Sequence, residues 1–356
     1  VGGGPAGASA AAWLAEAGRR VVLLERTPGP HDKVCGEFLS AEAAGPLRSL
    51  GLDPAALGAE PIERARVAAG GARASAALPF PAFGVTRRAL DEALLRAAAE
   101  RGAEIRRGVA VRALEPLGLE PGSGAVARVS GGADVSADFA LLATGKHDLR
   151  GRRRHAPGRG DPIGFKMHLA LRPAQARALE GHVELHLFPG GYAGLQPSPG
   201  GLANLCLVVE RGAHEALGRS WQHLLDRVAP PGSLLAERIA GAEPRWPRPL
   251  AVYGIPYGFV ARGAEAGAIG RVGDQLAVIP SFTGDGMAIA LHSARRAALA
   301  HLAGEPPPDG AAYRGQVGLA RLFLGLLTGA AGAAVGLARI APGVIPGVVR
   351  LTRSPR

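Results

Sequence analysis

The stretch VGGGPAG, Val1 to Gly7, decides how the rest of the chain is read. Gly2, Gly4 and Gly7 fill the spacing G-x-G-x-x-G. The first glycine of that pattern makes a tight turn, the second lets the backbone approach a pyrophosphate, and the third lets a helix pack closely. Pro5 suits a first helical turn, where its absent N–H would have no partner anyway. A turn of this kind closes a β-strand, so a strand is expected in front of it, of which Val1 is the remnant.

Working outward, "ASAAAWLAEAG" (residues 8–18) reads as a small-residue helix ending at Gly18. Its N-terminus, with Ala6 and Gly7 in the first turn, would offer free N–H groups and a positive dipole end to phosphate. "RRVVLLER" follows as a buried parallel strand ending at Glu25. A carboxylate there can accept hydrogen bonds from an adenosine ribose, and Glu25 followed by Arg26 favours an unphosphorylated ribose, as in FAD.

A second informative segment is "AIGRVGDQLAVIPSFTGDGMAIALHSARRAALAHL", residues 268–302. A short apolar strand runs to Gly273 and Asp274. The turn "TGDGM" (Gly284, Asp285, Gly286, Met287) then opens a long helix. This order puts one carboxylate at a strand end, where it can accept a ribityl hydroxyl proton, and aims helix N-terminal N–H groups at an electron-rich ring edge.

With these segments in register the chain resembles the FAD-dependent monooxygenase superfamily, including geranylgeranyl-reductase-like flavoproteins. The resemblance extends to "KVCGEFLSAEA" (33–43), which by that match runs past the flavin, with Cys35 and Gly36 near the ring and Ser40 as a helix cap. It extends to "VTRRALDEALLRAAAERGAEI" (85–105), where the R-x-x-(F/L)-D pattern implies that Arg87 lies near the cofactor phosphates or ribityl chain. It also covers "DFALLATGKHDLRG" (138–151). Many hydroxylases of the family carry an aspartate after that glycine, whereas here Gly145 is followed by Lys146 and His147, a departure towards the reductase-like branch.

The implied fold is α/β: a Rossmann-type FAD-binding domain with an inserted antiparallel β-sheet substrate domain and a C-terminal helical tail. Residues 1–65, 85–150 and 255–305 are assigned to the FAD-binding domain, 66–84 and 155–254 to the substrate domain, and 306–356 to the apolar tail. The Arg-Gly-Pro stretch "LRGRRRHAPGRG" reads as a crossing between domains, its arginines solvated or holding a nicotinamide phosphate. Strand-like runs at 162–171, 182–209 and 250–260 build the substrate sheet. Lys166, His168, His186, Tyr192 and Gln196 are its candidates to hold or protonate substrate. His168 and Tyr192 are the first choices, and "PGGYAG" (189–194) resembles a family turn facing the flavin.

Composition bounds the rest. The 356 residues carry a formal charge of +11, but the cations are 38 arginines and three lysines, as a GC-rich coding bias would give. A basic face meeting an anionic cofactor or lipid is the competing reading. With aromatics at 4% and no basic stretch interleaved with stacking rings, nucleic acid is not an expected partner. Two cysteines make neither a disulfide framework nor a zinc site, so no metal is expected and a reducing cytosol fits. A second G-x-G-x-x-G, a CxxC redox pair, W-x-W-x-I, G-K-[ST], H-E-x-x-H and G-x-S-x-G do not occur in these 356 residues. Nicotinamide is therefore expected only as a transient NAD(P)H reductant.

No charge occurs from Leu322 to Ala338, a stretch short of the about 20 residues a spanning helix wants. Helices packed on the domain or lining a lipophilic entrance are expected first, then a peripheral membrane contact aided by Arg339, Arg350, Arg353 and Arg356, and last a true span. The leading functional expectation is NAD(P)H-dependent hydroxylation or oxidation of a hydrophobic small molecule. The alternatives are reduction of carbon–carbon double bonds of an isoprenoid or lipid, and a flavin-binding protein without turnover. The location expected is the cytoplasm, with membrane association through the tail.

Overall fold

The computed structural model describes residues 1–118, 123–154, 161–262, 268–341 and 343–353. The glycine turn sits in the middle of a parallel sheet. Gly2 donates to the Leu24 carbonyl at 2.9 Å, Ala143 donates to the Val1 carbonyl at 2.9 Å, and the Val1 nitrogen reaches the Leu141 carbonyl at 2.7 Å. Val1 and Gly2 thus bridge two parallel pairs, Val22–Glu25 with Glu104–Arg107 on one side and Ala140–Leu142 with Ile269–Arg271 on the other. Their position is the switch point of an open α/β sheet, where ligands bind beyond the strand ends.

Three helices close over this sheet: Pro5–Glu16, Arg87–Glu100 and Gly286–Leu302. Their meeting faces are dominated by alanine and leucine (Ala8, Ala11, Ala12, Leu90, Leu94, Ala288, Leu291), so the axes approach closely. Thr86 caps the second helix by accepting from the Ala89 N–H at 3.1 Å. Ser40, expected to cap Ala41–Ser49, holds the N-cap position but makes no side-chain cap bond. An antiparallel meander, Val111–Pro116, Ala125–Val129 and Val135–Ala137, lies against the sheet through Leu114, Ala125 and Ala127. It was not anticipated from the sequence.

The second layer is a nine-stranded sheet built around Ile163–Ala170, Leu202–Val209, Gly191–Ser198 and Gly181–Phe188. It continues into Glu60–Ala69 and Ala72–Gly84, so residues 60–65 belong to it although the expected boundary ran between 65 and 66. The register fixes its two faces. Lys166 pairs with Cys206, which pairs in turn with Gly194, and His168 pairs with Asn204, which pairs with Gln196, so all six share the face toward the parallel sheet. The intervening residues Phe165, Met167, Leu195, Leu205 and Leu207 bury the other face against Leu224, Val228 and Leu235.

The tail forms three helices, Arg314–Gly329, Ala331–Ile340 and Val344–Leu351. They lie on the strands of the second sheet, Val335 against Leu187, Tyr192 and Val208, and Ala338 and Ile345 against Ala74 and Ala76. Among the described residues no single helix is long and apolar enough to cross a membrane, and the first two tail helices bend by 103° at their junction. Residues 155–160 of the Arg-Gly-Pro stretch, and Arg356, lie outside the described residues.

Candidate functional site

A cleft of about 510 Å³ runs from the glycine turn to the second sheet. At Gly2 the backbone of the turn has no room for a side chain. Gly2 has φ +107°, and a Cβ there would lie 2.4 Å from the Ala143 carbonyl oxygen. Gly4 faces the cleft, with Arg87 Nη2 3.4 Å from where its Cβ would stand. Gly7 does not line the cleft; its Cβ would strike the Gly2 oxygen at 1.9 Å, so its part is close helix packing.

Glu25 is buried at the strand end. Its Oε2 accepts from the Gly3 N–H at 2.6 Å and its Oε1 from the Thr27 N–H at 2.9 Å. Burial alone would raise its pKa, but those two backbone bonds and the Lys33 charge hold the carboxyl below the usual range. The carboxylate therefore stays ionised and fixed in direction, with lone pairs to spare for hydroxyl donors.

Arg87 is aimed by a two-bond fork onto Asp91, Nε to Oδ1 at 2.9 Å and Nη2 to Oδ2 at 3.0 Å, while Lys33 binds the same carboxylate at 2.9 Å. Burial opposes its charge, yet the Asp91 carboxylate raises its pKa. Opposite, Lys146 Nζ lies 3.6 Å from Asp274 Oδ2. Burial disfavours the Lys146 charge as well, and Asp274, followed by Cys35 and Tyr257, more than restores it. The departure from the family pattern at Lys146 thus places a cation inside the cleft.

The cleft is lined by Gly2, Gly4, Pro5, Ala6, Glu25, Arg26, Cys35, Gly36, Arg87, Gly145, Gly273, Asp274, Gly284, Gly286 and Met287, which brings segments distant in the sequence to one space. Asp285 is different. Its side chain is fully buried and turned toward the tail, taking bonds from Ser40 Oγ (3.4 Å) and Gln316 Nε2, with Arg353 Nη1 3.5 Å away. Its side chain braces the turn from behind and does not line the cleft.

His168 and Lys166 also depart from expectation. Both are buried against Glu37, with Lys166 Nζ 2.5 Å from Oε1 and His168 Nε2 2.8 Å from Oε2, and His168 stacks on Trp246. Neither lines the cleft or the cavity beyond it. Glu37 also accepts from the Arg87 N–H at 2.8 Å, so this carboxylate joins the second sheet to the helix that carries Arg87. His186 lies on the sheet's far face beside Glu184 (3.2 Å), which also binds Arg238 at 3.0 Å and Arg66. Asn204 donates to the carbonyls of Cys35 (3.1 Å) and Gly36 (2.8 Å), fixing the segment that passes the cleft.

Beside the cleft lies an apolar cavity of about 410 Å³ between the second sheet and the tail helices. Gly36, Phe38, Cys206, Val208, Ser281 and Gly284 wall both spaces. Tyr192 and Gln196 line the cavity; Tyr257 lines the cleft and its hydroxyl lies 2.6 Å from Ser281 Oγ. Burial pushes the pKa of both phenols up, so each keeps its proton. Cys206 is likewise pushed up to about 12, first by burial and then by Cys35.

Sequence reasoning missed Glu37, Asn204, Tyr257, Ser281 and Cys206. Only Asp91 had a local signal, four residues after Arg87. The donor set fits FAD: glycines and a free helix end for the diphosphate, Arg87 and Lys146 for its charge, and Glu25 and Asp274 for sugar and ribityl hydroxyls.

Comparison with known proteins agrees. Residues 1–159 match the family model of the FAD binding domain. A menaquinone reductase of Mycolicibacterium smegmatis is 28% identical over 322 residues, covering 84% of this chain and 74% of the relative. A digeranylgeranylglycerophospholipid reductase 2 of Methanopyrus kandleri is 29% identical over 294 residues, 81% of this chain and 72% of the relative. A flavoprotein/dehydrogenase from Cytophaga hutchinsonii superposes with TM-score 0.80 at 19% identity, covering 99% of this chain and 91% of that one. The halogenase PltM in complex with phloroglucinol and FAD gives 0.68 at 17% identity, over 92% and 74%. The two solved structures speak for the fold.

Proposed function

We propose that this chain, an FAD-dependent oxidoreductase that resembles the FAD-dependent monooxygenase superfamily, reduces a carbon–carbon double bond in a polyprenyl lipid, with NAD(P)H as transient reductant. The observation that carries this reading is the apolar cavity, which shares its wall with the cleft and is roofed by the tail helices. A long hydrocarbon chain fills such a space, whereas a small polar aromatic would leave it wet. The two reductases among the relatives support the same substrate class, isoprenoid lipids.

When bound and reduced, FAD supplies the hydride. The chain's own groups do the remainder. Gly2, Gly4, Arg87, Glu25 and Asp274 hold and orient the cofactor. The leucine, valine and alanine walls of the cavity exclude water. A double bond that gains a hydride at one carbon needs a proton at the other, and Tyr257 Oη, hydrogen-bonded to Ser281 at the junction of the two spaces, holds one. Tyr192 holds another within the cavity.

Anaerobic turnover tests this. Enzyme reduced with NAD(P)H or dithionite, then mixed with a polyprenyl lipid without oxygen, should regain its flavin absorbance and yield a lipid heavier by two hydrogen atoms. Product that forms only with oxygen and contains an added oxygen atom would instead establish the hydroxylase reading that the sequence ranked first.

A further inference from the structure

We propose that the three C-terminal helices form a docking face for an anionic lipid bilayer, and that the apolar cavity opens toward that bilayer. Between Gly310 and Arg353 there is no aspartate or glutamate, while Arg314, Arg321, Arg339, Arg350 and Arg353 all lie there. Of the exposed large apolar side chains in the described structure, Leu322, Leu326, Leu337, Ile340 and Leu351 sit on these helices, Ile340 86% and Leu322 61% exposed. Arg339 and Arg350 are exposed beside them. Apolar side chains with arginines and no acid are what an interfacial helix presents to anionic head groups.

The cavity gives the face a purpose. Leu326 and Leu337 line it and are nevertheless 55% and 54% exposed, so they stand at its rim. A hydrocarbon chain passing between them moves from bilayer to cavity without crossing water. Neither of the first two tail helices is long and apolar enough to span by itself, and they meet at a bend of 103°. The inner side of the tail is tied down: Arg353 donates to the Thr283 carbonyl at 2.9 Å and stacks over Phe80 at 4.5 Å. The helices are therefore part of the folded enzyme, and their outer side is what remains for lipid. The entry route rests on the proposed substrate class, but the docking does not.

Flotation of the FAD-loaded protein with vesicles tests the face. With phosphatidylcholine vesicles containing phosphatidylglycerol the protein should float at low salt, and with phosphatidylcholine alone the floated fraction should fall about tenfold. The double variant Leu322→Glu/Ile340→Glu changes two exposed side chains that line neither space. It should lose flotation about tenfold while keeping its flavin spectrum, its melting temperature and its turnover of detergent-dispersed lipid. Wild-type protein that stays at the bottom with anionic vesicles overturns the proposal. So does a double variant that floats like wild type, or a wild-type dimer that this variant converts to monomer, which would assign the face to a second copy. Failure of the reductase assay with flotation intact would count against the reaction alone.

Discussion

The cleft and the apolar cavity share a wall yet are built by opposite means. The cleft is made of glycine backbone and charges held in fixed pairs: Glu25 by two amides, Arg87 by Asp91, Lys146 by Asp274. Each side chain there has one direction, as recognition of a diphosphate and sugars demands. The cavity is walled mostly by alanine, valine and leucine on a sheet and three helices, with Tyr192, Gln196, three hydroxyls and the charged Arg66, Glu184 and Arg353 as its few polar lining groups. It selects for shape and hydrophobicity, so it tolerates variation that the cleft does not. Substitutions should accordingly separate the two, cleft variants losing fold or cofactor and cavity variants losing substrate.

The largest effect is expected at the seam. Glu37→Gln keeps the shape but leaves Lys166 buried without a counter-charge, at a cost of about 3 kcal/mol or more in urea unfolding. The same carboxylate sets an acid limit. Burial would raise its pKa, but the His168 bond and the Lys166 charge bring it below the ordinary glutamate value. Its contribution to stability is complete above that ordinary value, about 4.3, and disappears as pH falls through the lower folded value. Wild type should lose stability over that acid window and Glu37→Gln should show less of the loss; identical acid profiles would remove Glu37 from the account.

Next comes Gly2→Ala. A side chain at φ +107°, 2.4 Å from the Ala143 oxygen, strains the turn, and FAD affinity measured by flavin fluorescence should fall about a hundredfold. On the cavity side, Gly194→Leu should do the reverse. A Cβ at Gly194 meets only the Cys206 carbonyl, at an ordinary 3.6 Å, and the added leucine occupies the cavity. FAD binding should be unchanged while KM for a polyprenyl lipid rises about tenfold; a loss of flavin instead would mean that the two spaces are not separable. The smallest effect concerns Cys206, whose thiol keeps its proton until about pH 12. Iodoacetamide at mildly alkaline pH should leave it unmodified in the folded protein, as peptide mass mapping would show.

The two halves of the molecule were also unequally legible. The cleft could be read because its parts are local patterns. Glycine spacing, a strand-end acid and an arginine four residues before an aspartate each carry their meaning within one short segment. The cavity and the seam could not. Glu37 meets Lys166 and His168 across 129 and 131 residues, and Asp285 looks in sequence like part of the turn that faces the ring. Arg353 and Gln316, far downstream, draw its side chain the other way. His168 and His186 show the limit most clearly. Each is an alternating residue on an apolar strand, and nothing nearby tells them apart. Pairing across four strands puts one toward the cleft domain and the other on the far face, because a shift of one residue in register exchanges the faces.

By itself, then, the sequence determined that the glycine turn, the strand-end acid Glu25 and the helix opening at Gly286 border one cleft, since φ, spacing and helix ends are properties of neighbouring residues. Tertiary structure alone decided which buried charges meet, which face each histidine takes and that the tail roofs a cavity. Those outcomes depend on strand register and on contacts between segments more than a hundred residues apart, where burial energy selects among many arrangements that local patterns leave equal.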